Sequence, residues 1–122
     1  MIQWAILDLA IVRYADWPEG VWSLKDRETD AVIPLAGKVI EYGVRLYETS
    51  PDLLLITSAA SSGNRIVVVG DTFHPSISEA TLTALPEGQP EDKPAKFFNF
   101  LRITHADGVT EVYARGHLMV YG

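Results

Sequence analysis

With 122 residues, 48% of them apolar and 21% charged, the chain is long enough to bury one core and too apolar for disorder. Its net charge of −6, with Lys and Arg scattered, argues against nucleic acid as a partner, and the absence of cysteine excludes disulfides and thiolate metal sites. The opening MIQWAILDLAIV has no basic n-region, and Asp8 interrupts an apolar run too short to cross a bilayer. The expectation is a single domain over 1–122 that folds in a cytoplasm without membrane insertion.

In chain order, WAILDLAIVRY is rich in Ile, Leu and Val and reads as a strand buried on most of both faces, Asp8 excepted. In GVWSLKD, Val21 and Ser23 alternate with Trp22 and Leu24, and the polar turn DRETD closes that strand. Pro34 and Gly37 make IPLAGK a connection. KVIEYGVRLYE is the clearest early strand: Ile40, Tyr42, Val44 and Leu46 share one face, and Glu41, Gly43, Arg45 and Tyr47 the other. DLLLITSA and RIVVVGD are short apolar runs bounded by turn formers, with SGN as a tight turn.

ISEATLTAL departs from this alternation. Ile77, Leu82 and Leu85 fall at helical spacing behind Ser78, which predicts a short helical turn near residues 78–85 with Ser78 as its N-cap. PEGQPEDKPAK, with three prolines and mixed charge, predicts an exposed loop over 86–96. The rest reads as two strands joined at Asp107-Gly108, residues that tolerate the positive φ of a hairpin turn. Seven or eight short strands, one helical turn and no long helical pattern indicate an all-β, immunoglobulin-like antiparallel β-sandwich.

In the final strand Val112, Ala114, Gly116, Leu118 and Val120 form an inward row that Gly116 interrupts, which predicts a bulge or a close backbone approach. The other row carries Tyr113, Arg115, His117, Met119 and Tyr121. Tyr, Arg and Met are enriched at protein interfaces, so these five are the candidate interface residues.

Chemistry-bearing patterns are sparse. His74, His105 and His117 have no metal-ligand spacing, and Asp26, Glu28 and Asp30 lack the glycine and distal Glu of a calcium loop and read as a solvated turn. Asp71 and His74 form the most enzyme-like pair, but no nucleophile stands in an elbow. A catalytic site would require them to converge with a serine or with His105. No glycine-rich phosphate loop is present. The expectation is a non-enzymatic chain with no cofactor, metal or catalytic residue. Among Trp4, Trp17 and Trp22, the alternation places Trp22 in the core, while Trp17 beside Pro18 is the candidate platform for a glycan.

The order ADWPEGVWSLKD, IPLAGKVIEYGVR, GNRIVV, ISEATLTALPEG and FLRITHADGVTEVYARGHLMVYG resembles a β-sandwich module of bacteriophage and prophage tails and baseplates, like the N-terminal domain of baseplate upper proteins. The resemblance runs from about Leu9 onward. This chain departs from it in the longer link EGQPEDKPAKF and in stopping at Gly122, where multidomain relatives continue into fibre or receptor-binding parts. The resemblance implies a structural component of the virion tail, assembled in the host cytoplasm. Its partners would be copies of itself, as a trimer or hexamer by analogy, and other tail or baseplate proteins. The alternative is a glycan- or receptor-binding module using exposed aromatics.

Overall fold

The computed structural model describes residues 5–13, 15–18, 20–26, 28–86 and 95–121. In chain order its elements are β1 (Ala5–Ile6), β2 (Leu9–Val12), β3 (Val39–Arg45), β4 (Asp52–Thr57), β5 (Arg65–Val69), β6 (Thr72–Ser76), α1 (Glu79–Thr83), β7 (Ala95–Thr104) and β8 (Thr110–Tyr121). The fold is all-β and sandwich-like, with one short helix. The β7–β8 hairpin is its axis: β3 adds antiparallel to β7 and β4 to β3, while β1 and β2 pair with the far side of β8. The hairpin β5–β6, turned at Gly70 with φ 62°, forms the second sheet.

The inward row predicted for β3 meets the core, and β7 adds a buried row of its own. Ile40, Tyr42 and Val44 from β3 and Phe97, Leu101 and Ile103 from β7 are buried, opposite Ile66 and Phe73 of the second sheet. The Asp107-Gly108 turn also forms, with Gly108 at φ 90° and the His105 N–H donating to the Val109 carbonyl at 2.8 Å.

Three local expectations are corrected. WAILDLAIVRY is two short strands rather than one, broken at Leu7–Asp8, and both run parallel to β8. It lies at the sheet edge, so Ile6 and Val12 are exposed and only Ile11 of β2 is fully buried. GVWSLKD makes isolated bridges from Trp22 to Phe73 and from Lys25 to Val32 instead of a continuous strand. TFHPS, to which the sequence pattern assigns no element, is also a strand, because Pro75 needs no ladder donor at the margin of a two-stranded sheet. Leu46, placed with the inward row of KVIEYGVRLYE, lies beyond the end of β3 and is 40% exposed. Of the loop expected over 86–96, residues 87–94 lie outside the described residues, and β7 begins at Ala95.

The helical turn is held at both ends. Ser78 accepts from the Thr81 N–H as its N-cap, the Asp16 carboxylate accepts from the Glu79 N–H at 2.7 Å, and Asn64 Oδ1 accepts from the Ser78 N–H at 2.9 Å. At the other end the buried Arg13 guanidinium donates to the carbonyls of Leu82 (3.5 Å), Thr83 (3.4 Å) and Pro86 (3.0 Å), and most closely to that of Leu85. Carbonyls at a helix end have no intrahelical donor, so a cation there satisfies them and is itself solvated by them. With the helix fixed, Leu82 and Leu85 are buried in the core.

Gly116 marks a close approach, as its place in the inward row predicts. A Cβ there would lie 2.3 Å from the Leu7 carbonyl oxygen and 2.5 Å from Asp8 Oδ1. At this break between β1 and β2, Asp8 Oδ1 takes a ladder position by accepting from the His117 N–H at 3.0 Å.

Two polar side chains are sunk in the core without a protein partner among the described residues: the Tyr42 hydroxyl and the whole carboxamide of Asn99. Tyr42 pairs with Leu101, two residues along β7 from Asn99, so the two are diagonal neighbours on the inner face. Burial pushes the Tyr42 phenol well above the ordinary tyrosine range.

Three outcomes follow for stability. Arg13→Met should lower the unfolding free energy in urea melts by about 3 kcal/mol, because it strips charge-assisted donors from the helix-end carbonyls. Gly116→Ala should cost about 2 kcal/mol by overpacking against Leu7 and should speed hydrogen exchange at the His117 amide. The folded chain holds the Tyr42 proton more tightly than the unfolded chain, so this contribution is full below about pH 10 and lost as pH rises above it. Tyr42→Phe should therefore leave stability at pH 7 equal or up to about 1 kcal/mol higher and flatten the alkaline loss.

Candidate functional site

Two surfaces carry organised side chains. The first is the outer face of the six-stranded sheet. The residues of β7 that alternate with its inward row, Phe98, Phe100 and Arg102, stand there between β3 and β8. Phe100 is only 3% exposed although it points away from the core. Its ring lies over Gly43, where a Cβ would come within 2.3 Å of Phe100 Cζ, so the missing side chain makes room for the ring.

Arg45 and Arg102 flank that ring, their guanidinium carbons 4.5 and 5.5 Å from its centroid, and Phe98 stacks on it at 6.2 Å. Each arginine has a carboxylate. Arg45 meets Asp52 at 2.6 Å, Arg102 meets Glu41 at 3.0 Å, and Arg115 meets Glu48 at 2.7 Å. Two shallow depressions, of about 330 and 290 Å³, flank the ridge formed by Phe98 and Glu48.

Of the five candidate interface residues, Arg115 and His117 line these depressions opposite Phe100 and Phe98, and Met119 and Tyr121 continue the same outward row. Tyr113 does not. Leu101 pairs with Ala114 and Arg102 with Val112, so Tyr113 is the extra residue of a bulge. Its ring packs against the core, and its hydroxyl donates to the Lys25 carbonyl at 3.1 Å and accepts from the Lys25 N–H at 2.9 Å. The bulge turns Val112 outward, 37% exposed, where the uninterrupted alternation places it inward.

The second surface is a groove of about 640 Å³ between β6, the 63–64 turn and the segment around Trp17. Trp17 is half-buried and sits edge-on to Tyr42 (5.4 Å) and Trp22 (6.4 Å). Its backbone N–H donates to the Ile77 carbonyl at 2.9 Å. Trp22 packs against the core, and Trp4 lies outside the described residues. His74 lines the groove together with Asp16 and Ser76.

The remaining sequence candidates are scattered. Asp71 is exposed in the β5–β6 turn, and no hydrogen bond among the described residues joins it to His74. His105 lies at the hairpin tip and meets Glu111 at 2.8 Å, so it converges neither with His74 nor with His117. Asp26 accepts from the N–H groups of Thr29 and Glu28, which hold its carboxyl below the usual range, and Asp30 adopts φ 57° in the same turn.

Sequence reasoning overlooked Arg45, Phe98, Phe100 and Arg102 on the outer face and Asp16 and Asn64 at the groove. The first group carries a readable signal, since Phe98, Phe100 and Arg102 are the odd row out in FFNFLRIT. Compared with known proteins, the chain matches no protein family model and no curated protein sequence.

Proposed function

We propose that the chain is a non-enzymatic structural component of a phage or prophage tail or baseplate, acting by self-association and by docking to neighbouring virion proteins. The observation that supports this reading is the outer face of the large sheet. Aromatic and arginine side chains are the types that anchor protein interfaces, and here they sit on a rigid sheet with their orientations already fixed by ion pairs and ring contacts. Exposed Leu55 and Tyr121 extend the apolar surface toward both sides of the sheet.

Charge favours a second copy as one occupant. Arg45, Lys96, Arg102 and Arg115 stand on this face against the carboxylates of Glu41, Glu48 and Asp52, a slight positive balance in a protein of net charge −6. A face that is basic relative to the rest of an acidic molecule attracts a different part of the next copy. Such a head-to-tail contact closes into a ring when the rotation allows it.

Light scattering after size exclusion, run over a rising concentration series, tests this. The wild type should form a discrete oligomer, and the double variant Arg115→Glu, Tyr121→Ser should dissociate it with an unchanged thermal melt, because both sites are at the surface. A monomer at every concentration, or an oligomer indifferent to the double variant, would overturn the reading.

A further inference from the structure

We infer that the groove beside α1 is a binding site for a neutral sugar ring. Four observations converge on it. The groove is large enough for a small ligand, at about 640 Å³, within the range of ordinary ligand sites. Its walls are fixed before anything binds: Asn64 accepts from the Ser78 N–H and donates to Thr81 Oγ1 at 2.6 Å, and Asp16 is held by the Glu79 N–H. A preformed wall spares a ligand the cost of ordering it.

The third observation is the aromatic. Trp17 packs edge-on against Tyr42 and Trp22, which also meet each other, while part of it lines the groove, so the indole is held in one orientation. A fixed indole suits the apolar C–H face of a pyranose. The fourth is the polar set around that ring. The Asp16 carboxylate accepts hydrogen bonds, the His74 imidazole donates or accepts, and the Ser76 hydroxyl does both. His74 and Ser76 are two residues apart on β6 and so share one face of it.

The chemistry also says what the groove does not suit. Among the described residues no Lys or Arg lines it and a carboxylate does, which disfavours phosphate, sulfate and acidic peptides. Its lining mixes the apolar surfaces of Trp17 and Pro18 with hydroxyl-matching groups, which fits a ring with one greasy face and a hydroxyl rim better than an aliphatic ligand. Among the described residues the groove shares no lining residue with the outer face of the large sheet, so the two surfaces can be tested separately.

The test is a titration of the whole chain, wild type and the dissociated double variant alike, with neutral hexoses, N-acetylhexosamines and their disaccharides, followed by amide chemical shifts. Saturable shifts should appear around residues 16–18, 63–64 and 74–78 in both proteins. Tighter binding of a disaccharide than of its monomer would mark a glycan chain as the source, and equal binding a free sugar. Asp16→Asn keeps an oxygen to cap Glu79, and His74→Ala alters a half-buried strand residue. Each should weaken binding at least tenfold while the chain still unfolds in one cooperative melt, shifted by no more than about 5 °C. Absence of saturable shifts with every sugar, shifts that both variants leave unaltered, or preferential binding of inorganic phosphate would overturn the inference. None of these outcomes touches the oligomer measurement, so the two readings fail separately.

Discussion

The contact on which the second half of the molecule depends is a guanidinium buried against carbonyl oxygens. Arg13 directly follows β2 and reaches the end of α1, some seventy residues later in the chain. Removing such a cation from water costs several kcal/mol, and here the described compensation is a set of acceptors that would otherwise lack donors. A five-residue helix is far below the length at which helices persist alone, so α1 exists only as a clamped element. Asp16, three residues after Arg13, caps its other end. The same short segment therefore binds both ends of the helix, seats Leu82 and Leu85 in the core and sets Trp17 at the rim of the groove.

The large sheet solves a different problem. Its inner face is an ordinary apolar layer, but its outer face also buries an aromatic, Phe100, by means of a glycine on the neighbouring strand. The flanking arginines are then constrained by ring and carboxylate together. Surface ion pairs contribute little to stability in themselves. Their effect is directional, holding long side chains in one arrangement, and that lowers the entropy lost when a partner covers them.

Much of the fold was readable because it depends on short-range rules. Alternation in KVIEYGVR, the Asp-Gly turn and Ser78 ahead of an apolar helical spacing each specify their element locally, and each formed. Gly116 announced the approach of Leu7, although nothing in the local pattern identified which backbone would come near. The parallel edge was not readable, since a parallel partner lies about a hundred residues away and leaves no turn signal. Nor was the bulge at Tyr113. One extra residue reverses the facing of everything before it, so Val112 and Tyr113 exchanged roles while Arg115 to Tyr121 kept theirs. Asp16 and Arg13 escaped notice for a related reason, because their partners are backbone groups of a distant helix and such partners have no residue signature.

The two organised surfaces belong to different layers, and this bears on how one small domain can serve an assembly. The arginine and aromatic ridge stands on the large sheet, facing away from the core. The groove is built from the second sheet, the helix cap and the Trp17 segment. A head-to-tail contact that covers the first leaves the second open as long as the receiving patch lies away from the groove. Assembly through the large sheet would therefore present the grooves as a repeated array. Sites that are weak singly gain effective concentration when held at fixed spacing, so a low-affinity groove and an oligomerising face are physically complementary features of one chain.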